Sequence, residues 1–317
     1  MANTYQLAAE MQSFVRQCAL FPPADDSLSA QRAAYAALCR HFSPPLPAGV
    51  LFEDHVLALA GRQIPLRLFR PAAAVPAGGW PAVLYLHGGG WMLGGLDSHV
   101  FIAAALAQEC VAAVLVVDYR LAPEHVFPAA FEDCMAVWDS VRADGSALGI
   151  NPARVVVAGD SAGGNLAAAL CLAARGQAGP PLCGQVLIYP ALSAGLDLPS
   201  AQEHAEAPLL SRADMAYYLA QYAPNPARHA DPRLAPLAAA SLADLPPAFV
   251  AVAEYDPLRD DGLHYAARLR TSGVAAECHL GRGLLHGCLR FWPQGMETAR
   301  MYRALVAATR RMLASPA

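Results

Sequence analysis

Arg154-Val155-Val156-Val157-Ala158-Gly159-Asp160-Ser161-Ala162-Gly163-Gly164-Asn165-Leu166-Ala167-Ala168-Ala169-Leu170 is the stretch from which the rest of the chain is read. Its first part, through Ala158, is a short apolar run that fits a buried strand, and Leu166 to Leu170 has the character of a helix. Between them Gly159-Asp160-Ser161-Ala162-Gly163 matches GxSxG, a pattern that sets a serine on a strained strand-to-helix turn. Such a turn needs small residues on either side to avoid clashes, and Gly159 and Gly163 supply them. A bare match says little, because Gly, Ser and Ala are common in loops. Its strand, turn and helix setting is what gives it weight.

Outward from this stretch the same alternation recurs. Apolar runs at Ala82 to Leu86, Val114 to Val117, Val186 to Tyr189 and Ala248 to Ala253 are separated by helical stretches. That order predicts right-handed crossovers and an α/β fold with a mostly parallel sheet covered on both faces. Upstream, Val50 to about Arg70 alternates apolar and polar residues, which predicts an antiparallel strand pair. Before it, Thr4 to about His41 shows helical spacing broken at Phe21-Pro22-Pro23 and ended by Ser43-Pro44-Pro45, hence two helices. One segment interrupts the βα series: Ala191 to about Ala240, with Pro and Asp clusters around the helical Asp214 to Leu219. It is expected to join the N-terminal helices as a cap.

Composition removes several classes of function. The 317 residues are 56% hydrophobic and 15% charged with a net charge of −4, which suits a well-packed core and offers no basic footprint for nucleic acid. All 22 basic residues are Arg. Chemistries that require a lysine, such as Walker A loops, pyridoxal Schiff bases and Ser-Lys dyads, are therefore excluded. No apolar run is long enough to span a bilayer. Met1 to Gln6 lacks a basic n-region, so no secretory signal is expected. Eight Cys occur without a CxxC pair, which fits free thiols in a reducing cytoplasm. No HExxH, Cys/His ligand spacing or GxGxxG at a helix start is found, so neither a metal nor a nucleotide cofactor is expected.

A serine nucleophile needs a base, and the base needs an orienting acid, in the chain order Ser, acid, His. Asp256 lies just past the apolar run Phe249 to Ala253, with Glu254 at the strand end as the alternative acid. Asp260 and Asp261 suit the first turn of the next helix. His286, in Gly283-Leu284-Leu285-His286-Gly287, follows an expected strand at Ala275 to Leu280 and is the candidate base. His264 and His279 fall inside a helix and a strand. His87-Gly88-Gly89-Gly90 comes directly after the strand Ala82 to Leu86, where a glycine run leaves backbone N–H groups free to face a cavity and stabilise an oxyanion.

These segments, with Trp91 after the glycines and with Asp118-Tyr119-Arg120-Leu121-Ala122-Pro123-Glu124 and Asp256-Pro257-Leu258-Arg259-Asp260, closely resemble the hormone-sensitive-lipase-like family of α/β-hydrolase carboxylesterases, bacterial family IV included. The resemblance implies an eight-stranded sheet with helices on both faces and a helical cap. The expected divisions are 1–45 (N-terminal cap helices), 46–190 and 241–317 (the hydrolase core), and 191–240 (the cap insertion). It further implies a triad of Ser161, Asp256 and His286, and an oxyanion hole from the N–H groups of Gly88, Gly89 and Ala162. Tyr119 to Glu124 would be scaffold. Trp91, Tyr189 and Cys288 are candidates for lining the substrate pocket. Two positions depart from the family: Cys288 where an aromatic often follows His-Gly, and Gly95 where Asp is common. The implied activity is hydrolysis of short- to medium-chain acyl esters, without cofactor, on a small-molecule substrate, in the cytoplasm, with a homodimer as the candidate assembly. Amidase, thioesterase or lactonase activity by the same triad, and a noncatalytic ligand receptor on the same fold, are the alternatives.

Overall fold

In the computed structural model, which describes residues 5–314, two helices, α1 (Ala9–Cys18) and α2 (Leu28–His41), precede the sheet. The outermost residues of the expected first and last divisions, 1–4 and 315–317, lie outside the described residues, as does most of the Met1 to Gln6 stretch. Ser27 caps α2 by accepting a hydrogen bond from the Ala30 N–H. β1 (Val50–Leu59) and β2 (Arg62–Pro71) form the expected antiparallel pair, turned at Ala60-Gly61, where Gly61 has a φ of 82° that favours glycine.

The chain then alternates as β3 (Trp80–Leu86), α3 (Val100–Cys110), β4 (Ala113–Val117), α4 (Ala129–Ala143), β5 (Ile150–Asp160), α5 (Ala162–Ala174) and β6 (Gly184–Ile188). The short α6 (Pro199–Glu203) and α7 (Arg212–Tyr222) lie in the segment between β6 and β7 (Ala248–Tyr255). The chain ends with α8 (Arg259–Thr271), β8 (Ala276–Leu285) and α9 (Met296–Ala314). The eight strands form one sheet in the order β1-β2-β4-β3-β5-β6-β7-β8, parallel from β4 to β8.

Both faces of this sheet are buried, which is why its central strands are continuously apolar. Along β5, Val155 and Val157 enter one core layer while Val156 and Ala158 enter the other, because successive side chains point to opposite faces. Leu166 and Leu170 of α5 pack in the first layer, and Leu305 and Val306 of α9 pack in the second. The parallel strands end together at one edge of the sheet, and Ser161, Asp256 and His286 follow β5, β7 and β8 at that edge. Element boundaries shift by a few residues in several places, and one shift bears on the site. β8 runs to Leu285, so Gly283 belongs to the strand, and Tyr255 pairs with Leu285. His286 is thus held at a strand end instead of within a loose glycine-bracketed loop.

Candidate active site

Ser161 has φ 55° and ψ −119°, a conformation that costs a non-glycine residue free energy. Its backbone is fixed on both sides, with its N–H donating to the Ile188 carbonyl at 2.8 Å and its carbonyl accepting from the Asn165 N–H at 3.1 Å. The small residues around it are a steric requirement. A Cβ on Gly159 would run into the Gly163 carbonyl, and one on Gly163 would run into the Leu86 carbonyl. Buried Asn165 ties the turn to the segment after β6, donating to the carbonyls of Ala191 (2.8 Å) and Leu234 (2.7 Å).

The side chains converge across long stretches of sequence. His286 Nε2 lies 2.9 Å from Ser161 Oγ, and its Nδ1 lies 2.7 Å from Asp256 Oδ2. With Nδ1 protonated and donating to the carboxylate, Nε2 is free to accept the serine proton. Asp256 is buried, and its second oxygen accepts from the Leu258 N–H at 2.8 Å, so the carboxylate cannot swing away. Glu254, the alternative acid, instead accepts from the Gly283 N–H at 2.6 Å. Asp260 and Asp261 do lie in the first turn of α8, but their carboxylates reach outward to the N–H groups of Ser200 and of Leu192 and Ser193.

The glycine run needs a correction. The Gly88 N–H is already committed, donating to Asp160 Oδ1 at 3.0 Å, so it is not available to an oxyanion. Gly89, Gly90 and Ala162 line the cavity beside Ser161, which moves the expected set by one glycine. A Cβ on Gly88 would collide with the Asp160 carboxylate. Asp160, which sequence reasoning passed over as the variable position of GxSxG, also accepts from the Tyr85 hydroxyl (2.9 Å) and meets His99 Nε2 at 3.1 Å. Burial alone would push its carboxyl up, yet His99, Arg290 and Tyr85 together hold it below the usual carboxylate range. Burial pushes His87 down to about 3, so its ring is neutral, stacked on Tyr119 at 4.3 Å. The Tyr119 hydroxyl donates to the His87 carbonyl at 2.6 Å, tying the Tyr119 to Glu124 segment to the base of the glycine loop.

The cavity over Ser161 has a volume of about 210 Å³ and is mostly apolar in its lining. Phe14, Cys18, Tyr35 and Leu38 enter it from α1 and α2; Leu209, Leu210, Met215 and Tyr218 enter it from the segment after β6. Trp91 and Tyr189 also line it, with the Tyr189 ring 4.8 Å from that of His286. Cys288 does not line it. Its side chain is buried in the core layer that holds Leu285, Leu289 and Phe291, because the 3-10 turn Cys288–Phe291 after Gly287 packs inward. Arg290, two residues on, reaches the cavity instead. Gly95 has a φ of +153°, which strains any L side chain, and a Cβ there would begin 3.2 Å from Asp118 Oδ1. Among the described residues no cluster of three or more His, Cys, Asp or Glu side chains is placed to hold a metal ion, and no helix is long and apolar enough to cross a membrane. All eight Cys are unpaired.

A family model described as alpha/beta hydrolase fold matches residues 83–290, more than half of the chain. Carboxylesterase NlhH of Mycobacterium tuberculosis is 41% identical over 277 residues, covering 86% of each chain. Ethyl acetate hydrolase of Pseudomonas putida is 40% identical over 232 residues, covering 73% of each. Among solved structures, a hyperthermophilic esterase from the archaeon Pyrobaculum calidifontis superposes with a TM-score of 0.89 at 35% identity, over 98% of this chain and 99% of that one.

Proposed function

Because the chain belongs to the alpha/beta hydrolase fold family, in its hormone-sensitive-lipase-like branch, it is a carboxylic ester hydrolase, and we propose that Ser161, His286 and Asp256 carry the reaction. The observation that carries this reading is the relay of 2.9 Å and 2.7 Å from Ser161 through His286 to Asp256, on a serine held in a strained turn.

In the proposed cycle His286 Nε2 takes the Ser161 proton as Oγ attacks the acyl carbonyl carbon. The carbonyl oxygen, now an anion, receives the N–H groups of Gly89, Gly90 and Ala162. Collapse breaks the bond to the alcohol oxygen, which leaves with the proton held by His286. Water then adds to the acyl-enzyme, giving its proton to His286, and the acid departs as Ser161 regains its hydrogen. Asp256 keeps Nδ1 protonated and stabilises the imidazolium in both halves.

The substrate class we propose is short- to medium-chain acyl esters. An apolar cavity of about 210 Å³, walled by Trp91, Tyr189 and the residues of α1, α2 and α7, supports it. So does the similarity to a relative named for ethyl acetate hydrolysis. The helices of 1–45 and the 191–240 segment act together as a cap in this reading. A cytoplasmic location fits eight unpaired thiols, and size-exclusion chromatography decides between a monomer and a homodimer. The test is a rate panel over p-nitrophenyl esters of increasing acyl length, with an amide and a lactone of matched size. Highest kcat/KM on an amide or lactone would overturn the ester assignment.

A further inference from the structure

Behind the glycine loop lies a buried group of charged and polar side chains that the proposed cycle does not use. Arg290 follows His286 by four residues in sequence and is buried, with Nη1 donating to the Ser98 carbonyl at 2.9 Å and Nη2 donating to the Tyr35 hydroxyl at 2.7 Å. Asp160, also buried, immediately precedes Ser161 and holds the Gly88 N–H. His99 stands between them, its Nε2 3.1 Å from Asp160 Oδ2 and 3.2 Å from Arg290 Nη2. Burial, with Arg290 close by, lowers His99 from its ordinary value, while Asp160 opposes the shift. Nε2–H donates to the carboxylate, so the guanidinium beside it, itself only a donor, acts on Asp160 through its charge and not through a hydrogen bond to that nitrogen.

An ionised carboxylate in a dry interior is costly unless a cation offsets it and donors saturate it. Three donors, Tyr85, Gly88 and His99, meet Asp160. The nearby cation is Arg290, whose own hydrogen bonds reach the segment before α3 and the cap helix α2. The network therefore joins the residue before the nucleophile, the glycine before the oxyanion hole, the turn after His286 and the cap.

We propose that Arg290 is a positioning residue for ester hydrolysis: its charge, set beside His99, keeps Asp160 ionised, and Asp160 holds the glycine loop where its N–H groups meet the oxyanion. This rests on Ser161, Gly89 and Gly90 forming the reacting site. Removing the guanidinium leaves Asp160 buried without its cation. The carboxyl then takes up a proton or moves, and Gly88 loses its anchor. The substrate carbonyl is bound before the oxyanion forms, so the loss falls on kcat more than on KM.

The test compares the wild-type protein with Arg290→Met and Arg290→Lys. Active sites are counted by the p-nitrophenol burst from diethyl p-nitrophenyl phosphate, and the labelled residue is found by peptide mapping. Arg290→Met is expected to lower kcat per titrated site about 10- to 100-fold on p-nitrophenyl acetate, with KM changed less than about threefold. Affinity for a short alkyl trifluoromethyl ketone, whose adduct with the serine carries the oxyanion, is expected to fall in parallel. Arg290→Lys, which keeps the charge, is expected to recover part of both. If Arg290→Met does not fold, His99→Leu is read in its place with the same expectation. An unchanged kcat per titrated site, with activity lost only through fewer titratable sites, would overturn the proposal and leave Arg290 a stabilising residue. Labelling of a residue other than Ser161 in the wild type would instead overturn the underlying site assignment.

Discussion

Asp261 offers a stability test whose sign follows from the structure. It lies in the first turn of α8, is buried, and gives one oxygen to two backbone N–H groups, Leu192 at 2.8 Å and Ser193 at 2.6 Å. Those bonds favour the anion, but burial outweighs them and the nearby Asp256 adds to it, raising Asp261 from 3.8 to about 7. In the unfolded chain the carboxyl ionises near its ordinary value. Between about pH 4 and 7 the folded state therefore holds the extra proton, and stability falls as pH rises through that window. A displacement from 3.8 to about 7 corresponds to about 4 kcal/mol once the group is ionised at pH 8. Asp261→Asn keeps an acceptor oxygen for Leu192 and Ser193 and removes the titration. Its stability relative to wild type is expected to rise from near parity at pH 4 to a gain of a few kcal/mol at pH 8. Urea unfolding at steps between pH 4 and 8, followed by tryptophan fluorescence, measures this. A difference that does not change with pH, or a variant less stable than wild type at pH 8, would refute the reasoning. Leu192 and Ser193 follow Ala191, which lines the cavity, so the same residue anchors the start of the segment after β6.

Other consequences are more direct. Ser161→Ala removes the oxygen proposed to attack the ester and is expected to cut kcat by about 10⁴-fold or more with the fold retained, checked by ester turnover and circular dichroism. Gly88→Ala places a methyl against the Asp160 carboxylate and is expected to lose most ester turnover while Gly283→Ala, open around its Cβ but at a φ of +69°, costs about 1 kcal/mol of stability and little activity. Cys288→Phe overpacks a fully buried site and is expected to destabilise by about 1–3 kcal/mol without moving the acyl-length optimum. A shifted optimum in a protein of normal melting temperature would contradict the burial of Cys288. Across p-nitrophenyl esters, kcat/KM is expected to rise over the first few carbons, each buried methylene adding about 0.8 kcal/mol, and then to drop when the cavity is filled. A profile that keeps rising to long chains would contradict a closed acyl wall.

Local sequence carries what short-range sterics and periodicity determine. The apolar runs and their helical spacers specify an α/β sheet, because burial on both faces demands unbroken apolar strands. The glycines around Ser161 are legible for the same reason, since a Cβ there meets backbone a few residues or one strand away. The order of Ser161, Asp256 and His286 could be read because each follows a recognisable strand. Tertiary packing decided the rest. Asp256 and Glu254 are two residues apart, and only the registry of β7 against β8 gives one carboxylate to His286 and the other to Gly283. Gly88, Gly89 and Gly90 are identical as letters. Which N–H is free depends on Asp160, 72 residues away from Gly88. Arg290 and Cys288 sit in one turn, yet one reaches the cavity and the other the core. Such distinctions turn on ångström-scale distances between segments remote in sequence, which no local pattern encodes.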